Sequence, residues 1–154
     1  LNRIHLFKTK YNDNNSSSSI TELLEYTYLL FSFYSNKFSP VIQNAVTYIH
    51  KHYYENISIK DFCNKNKMST AYLGFLFKKE TGMLFNTYLT QYRICHSINL
   101  LANTDYKVSE LAKQVGFCSS SYFISCFKDH TGISPAQYRQ TNIQFHGSSY
   151  EDFT

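Results

Sequence analysis

Two groups of side chains in this sequence have the types and spacing that reaction or metal chemistry uses. Cys126 and His130 stand at i, i+4, with Cys118 two turns earlier, and these are residue types that a zinc ion accepts as ligands. Cys63 with His96, or again Cys126 with His130, would pair a thiol with an imidazole as nucleophile and base. Neither set is complete. A structural metal site needs a fourth ligand. Nucleophilic catalysis needs a third group to orient the base and donors for an oxyanion, and the sequence supplies neither, nor a glycine loop for phosphate. Free cysteine is commonly buried, and Cys63 and Cys126 fall on predicted inward helical stripes. With no CxxC pair and no dense spacing, Cys63, Cys95, Cys118 and Cys126 read as the free thiols of a reducing cytosol. The expectation is no metal, no cofactor and no enzyme.

The charges point to a different chemistry. Net charge is +4, and between Ser39 and Gln140 eleven Lys or Arg face six Asp or Glu. The last 14 residues carry only Glu151 and Asp152. A basic centre of this kind favours a polyanionic partner. Lysines outnumber arginines twelve to three and alanine occurs five times, a bias of A·T-rich coding that concerns the source and not the activity.

At 154 residues and 43% hydrophobic, the chain has enough apolar surface for one domain or two small ones. The longest apolar run, Tyr28 to Phe31, is far short of the ~20 residues that span a bilayer, so no membrane segment is expected. No export signal is expected either, and the start at Leu1 reads as a piece of something longer. Asn12 to Ser19 is a polar linker. Ser19 to Tyr34 opens on a Ser19/Glu22 capping box and continues with apolar residues at helical spacing, so a helix is predicted there. A further helix is predicted from Pro40 to about Tyr54, with Val41, Ala45, Tyr48, Ile49 and His52 on its apolar face.

The most informative feature is an internal repeat. Residues 72–88 align with 122–138, with six of 17 positions identical: Tyr72/Tyr122, Phe77/Phe127, Lys78/Lys128, Thr81/Thr131, Gly82/Gly132 and Tyr88/Tyr138. Upstream the offset becomes 49, pairing Ile59 with Val108, Phe62 with Leu111, Cys63 with Ala112 and Met68 with Phe117. Each copy reads as a short helix, a tight turn and a longer helix stopped by glycine. Ser58 and Ser69 are N-caps, Asp61 completes a box with Ser58, Gly116 makes a turn, and Gly82 and Gly132 take the left-handed position after a helix. Lys107 occupies the slot of Ser58 and weakens that cap, while Ser134 and Pro135 start a last helix. Two short helices joined by a tight turn make a helix-turn-helix, whose second helix enters a DNA major groove. Leu84 to Ala102, without Pro or Gly, forms a continuous connector of about 27 Å, which suits successive groove openings about 34 Å apart on one face of B-DNA.

The tandem units, together with FKKETG at Phe77 to Gly82, YLTQYR at Tyr88 to Arg93, VSELAKQVGF at Val108 to Phe117 and YFISCFKDHTGISPAQYR at Tyr122 to Arg139, resemble the DNA-binding domain of the AraC/XylS family of bacterial transcription regulators. The resemblance covers about two thirds of the chain. It implies an all-α, homeodomain-like fold of seven helices, in which two helix-turn-helix subdomains are joined by a long linker helix, with recognition helices at about Ser69 to Glu80 and Ser119 to His130. It also implies a sequence-specific duplex-DNA regulator, most often an activator, acting in the cytoplasm with RNA polymerase as a partner and a possible homodimer formed through the upstream region. The upstream domain of such regulators is either a ligand-sensing β-barrel or a phospho-acceptor receiver, and both stay open here. The expected division is a remnant of that domain, linker and helix over 1–38, the DNA-binding domain over 39–140 with units at about 58–82 and 107–132, and a tail over 141–154.

Helical spacing assigns the site. Leu73, Leu76 and Phe77 point inward in the first recognition helix, which leaves Thr70, Ala71, Gly74, Phe75 and Lys78 outward; Phe123, Cys126 and Phe127 do so in the second, leaving Ser120, Ser121, Ile124, Ser125 and Lys128. The expected base contacts are Thr70, Ala71, Gly74, Phe75, Ser120, Ser121 and Ser125. Phe75 meets either thymine methyl groups or another part of this protein. The expected phosphate contacts are Ser58, Lys60, Lys78, Lys79, Arg93, Lys107 and Lys128, with backbone N–H groups at the start of the Ser58 helix, although any one of these lysines also fits a merely solvated face. The alternative to a DNA regulator is a degenerate helix-turn-helix module that acts through protein contacts and has lost base recognition.

Overall fold

The computed structural model describes residues 38–140. The expected linker, the Ser19 to Tyr34 helix and the tail lie outside the described residues. Within them the order is α1 Pro40–His52, α2 Ile59–Lys65, α3 Thr70–Thr81, α4 Phe85–Asn103, α5 Val108–Gln114 and α6 Ser120–Thr131, followed by helical backbone over 135–140. No strand occurs among the described residues.

The helices start and stop where side chains replace missing backbone partners. Ser58 caps α2: its hydroxyl accepts from the Asp61 N–H at 3.4 Å, and the Asp61 carboxylate accepts from the Ser58 N–H at 2.8 Å. Ser69 and Ser119 cap α3 and α6 by accepting from the Tyr72 and Tyr122 N–H groups. Lysine has no acceptor, so at α5 only half of the box survives, with the Glu110 carboxylate accepting from the Lys107 N–H at 3.1 Å. Gly82 and Gly132 end α3 and α6 in left-handed conformation, at φ 78° and 87°. The identical threonines complete both ends, Thr81 donating to the Phe77 carbonyl at 2.7 Å and Thr131 to the Phe127 carbonyl at 2.8 Å.

The two helix-turn-helix turns share one pattern at the offset of 49. The Met68 N–H donates to the Cys63 carbonyl, and the Phe117 N–H to the Ala112 carbonyl. The residue before each donor is left-handed, Lys67 at φ 52° and Gly116 at φ 88°. The sequence repeat gave no reason for lysine in one copy and glycine in the other, and the packing does: a Cβ on Gly116 would lie 2.5 Å from the Tyr53 carbonyl oxygen.

The core has a part under each unit. Ile42, Ala45, Val46 and Ile49 of α1 are buried with Phe62, Cys63, Leu73, Phe77, Phe85 and Leu89. The buried stripe of α1 is thus rotated from the expected one, since Val41, Tyr48 and His52 are only half-buried, and α1 ends at His52, short of Tyr54. The second part consists of Ile94, Leu101, Leu111, Ala112, Val115, Phe117, Phe123 and Phe127, with Tyr138 packed against it. The repeat is again visible in the rings: Phe77 meets Tyr88 edge-on at 5.7 Å, and Phe127 meets Tyr138 edge-on at 5.6 Å. Helix α4 packs on both α3 and α6, so one rod carries both recognition helices.

A layer of rings joins α1 to α4. His50 stacks on Tyr92 at 4.2 Å, Tyr53 stacks on His96 at 4.4 Å, and His50 Nε2 lies 3.1 Å from the Tyr88 hydroxyl. Burial, reinforced by His96, pushes His50 down to about 4, and burial lowers His96 as well.

Adding the same methyl group at each turn glycine separates strain from collision. Gly82→Ala and Gly132→Ala, with open space around the new Cβ, are each expected to cost about 1 to 2 kcal/mol, or about 4 to 8 °C in Tm per kcal/mol. Gly116→Ala is expected to cost clearly more, and Lys67→Gly to raise Tm. The histidines set the pH response. In the fold both take up a proton only at lower pH, His50 near 4, than in the unfolded chain, where they do so below about pH 6.5. The contribution is therefore fully present above pH 6.5, and Tm is expected to fall as pH drops from about 6.5 to 4, a trend that His50→Phe should flatten; thermal melts across that range are the check.

Candidate nucleic-acid interface

The recognition helices follow from their apolar stripes. In α3, Leu73 and Phe77 are buried and Leu76 is half-buried; in α6, Phe123 and Phe127 are buried and Cys126 is half-buried. The opposite faces are therefore turned to solvent. Thr70, Ala71, Phe75 and Lys78 are exposed and Gly74 is half-buried; Ser121, Ile124, Ser125 and Lys128 are exposed and Ser120 is half-buried. Positions 71, 75 and 78 stand at i, i+4 and i+7 and share one side of α3, as do 121, 125 and 128 on α6. The 19 residues of α4 give about 28 Å of rigid connector.

Among the expected phosphate contacts, Lys60, Lys78, Lys79, Lys107 and Lys128 are exposed. Arg93 is placed differently. Its Nε donates to the Tyr53 carbonyl and one terminal nitrogen donates to the Glu55 carbonyl, both at 2.7 Å. The guanidinium carbon lies 5.6 Å from the Phe117 ring centroid, and burial lowers the pKa from its ordinary value. Arg93 is thus engaged within the protein, tying the end of α1 to α4 and to the turn of the second unit, and it leaves the phosphate set. Ser58 is also engaged within the protein. Its hydroxyl also donates to the Asp61 carboxylate at 2.6 Å, and these bonds hold Asp61 below the usual carboxylate range. The Asp61 carboxylate thus already accepts from one of the N–H groups at that helix start.

The structure adds residues that spacing alone did not single out. Tyr72 and Tyr122, the third residues of α3 and α6, are 55% and 59% exposed. Of the six identities between the repeats, those at Phe77, Thr81, Gly82 and Tyr88 serve packing and helix ends; Tyr72/Tyr122 and Lys78/Lys128 remain at the surface. The repeat alignment carried that signal. Among the described residues no three His, Cys, Asp or Glu side chains converge as a metal site would require.

A family model described as a helix-turn-helix domain matches residues 62–141. The C-terminal domain of AraT, a response regulator from Geobacillus stearothermophilus, is 34% identical, with 67% of this chain and 86% of that chain covered at a TM-score of 0.65. The chain belongs to the AraC/XylS family. Its relatives are regulators and not enzymes. The AraC-type domain also resembles RhaR of Yersinia pseudotuberculosis, an HTH-type transcriptional activator, at 39% identity over 84 residues; the match takes in 54% of this chain and 29% of RhaR. The chain therefore matches less than a third of that relative's length. The DNA-binding domain of AdpA, solved in complex with a target DNA, is 25% identical at a TM-score of 0.66, with 72% of this chain and 100% of that chain covered.

Arg93→Ala is expected to destabilise the AraC-type domain by about 2 to 3 kcal/mol, because two carbonyls lose charged donors. Arg93→Lys should recover less than half of this, since an ammonium cannot reproduce the two-pronged geometry. Chemical denaturation of the three proteins gives both numbers.

Proposed function

We propose that this chain is the duplex-DNA-binding part of a transcription regulator, most simply an activator, which sets α3 and α6 into successive major grooves on one face of its target. The observation that carries this reading is that both recognition helices are mounted on α4 with Lys78 and Lys128 on their exposed faces. Base contacts are assigned to Thr70, Ala71, Gly74, Phe75, Ser120, Ser121 and Ser125, and phosphate contacts to Lys60, Lys78, Lys79, Lys107 and Lys128. The AdpA domain, similar in fold, is solved on a target DNA, and RhaR is an activator; both support the reading. The functional division runs over 39–140 for the DNA-binding domain, with 1–38 belonging to an upstream regulatory region that mediates dimerisation and 141–154 forming a tail. RNA polymerase is the further partner, and the cytoplasm the site of action. No helix among the described residues is long and apolar enough to cross a membrane.

With about four to six phosphates neutralised, the logarithm of affinity should fall with the logarithm of salt at a slope near −4 to −5. Alanine at Lys60, Lys78, Lys79 or Lys128 should make that slope shallower by up to about one unit on every duplex. Arg93→Ala should lower Tm and leave the slope unchanged. Fluorescence anisotropy at several salt concentrations measures these slopes. No binding at low salt would instead favour a module acting through protein contacts.

A further inference from the structure

We propose that α3 selects its site through the 5-methyl groups of thymine, so that the first unit prefers duplex with thymines lining the major groove it enters. The proposal deepens the DNA-binding reading and rests on it. Bidentate reading of purines uses Arg, Lys, Asn or Gln, and contact with the thymine methyl uses Ala, the Thr methyl or Phe. The outward residues in the first two turns of α3 are Thr70, Ala71, Tyr72, Gly74 and Phe75, which include all three methyl-contacting types and no Arg, Lys, Asn or Gln. The helix holds no Arg, Asn or Gln at all. Its only acidic residue, Glu80, accepts from the Ser39 N–H at 2.8 Å, and its two lysines stand in the last turn, away from the N-terminal residues that approach base edges.

Two further observations point outside the fold. Phe75 is 67% exposed, the most exposed large apolar side chain among the described residues, so the fold gives it no burial to explain it. Gly74 sits mid-helix, where glycine is less favourable than alanine. A Cβ there would meet only the Ile59 Cδ1 at 3.7 Å, an ordinary contact, so internal packing does not require glycine. A bare backbone between Ala71 and Phe75 lets a duplex approach closely enough for both to touch base edges. In α6 the matching face is mixed, with Ile124 38% exposed beside the weakly discriminating Ser121 and Ser125.

The test compares a thymine-containing duplex with one in which every thymine is deoxyuridine, an exchange that removes the methyl and keeps every hydrogen-bonding group. The full 154-residue chain should bind the uracil duplex more weakly, by about fourfold for each methyl contacted. Replacing cytosine by 5-methylcytosine in a G·C-rich duplex should strengthen binding. Phe75→Ala should lower affinity and lose most of the discrimination between thymine and uracil, with Tm unchanged. Gly74→Ala should raise Tm and yet weaken binding. Equal affinity of the unaltered chain for thymine and uracil duplexes would overturn the proposal while leaving DNA binding standing, as would discrimination that Phe75→Ala does not change. Failure to bind any duplex at low salt would overturn the DNA-binding reading and this proposal with it.

Discussion

The arrangement of the two helix-turn-helix units depends on one guanidinium. Arg93 lies near the middle of α4 and reaches back to two carbonyls just past the end of α1, those of Tyr53 and Glu55, while facing the Phe117 ring in the turn of the second unit. Three elements are fixed by one side chain. Only a planar donor with several fixed N–H directions serves two carbonyls and a ring at once. The same point sets the backbone conformation across from it, since Gly116 is held against the Tyr53 carbonyl where any Cβ would collide. A regulator that reads two grooves needs its readers at a fixed spacing, and a rod that anchors both achieves this only if it does not rock against either unit.

The repeat shows how a duplicated unit diverges under physical constraint. Residues that terminate the recognition helices stay identical because a left-handed stop and a threonine hydroxyl over the last carbonyls meet the same need twice. The aromatic pair that locks each recognition helix to the following segment is likewise kept, Phe77 with Tyr88 and Phe127 with Tyr138. Where surroundings differ, the residues differ. The turn of the first unit tolerates Lys67 in a left-handed conformation, while the turn of the second abuts the chain just past α1 and accepts only glycine. The outward faces have diverged most, the first two turns of one largely apolar and the other rich in serine.

Much of the fold was legible from the sequence alone. The caps at Ser58, Ser69 and Ser134, the glycine stops, the connector helix and the inward stripes of both recognition helices are local features, set by backbone conformation and by hydrogen bonds within a few residues. The outward faces of α3 and α6 follow from the same periodicity, which is why the lysines there stand exposed as expected. Tertiary structure decided what depends on distant neighbours. A cation in a basic stretch reads as a phosphate contact until it is seen bonded to carbonyls 40 and 38 residues away in sequence, and spacing carries no information on such a partner. Ser58 with Asp61, by contrast, is a capping box in both readings, because its bonds span only three residues. The buried stripe of α1 is rotated by about one position from the expected one because Ile42 and Val46 meet the core while Tyr48 and His52 are drawn into ring contacts. Sequence determined which elements form and which way both recognition helices face; packing between elements determined the buried face of α1 and which polar groups are engaged within the protein.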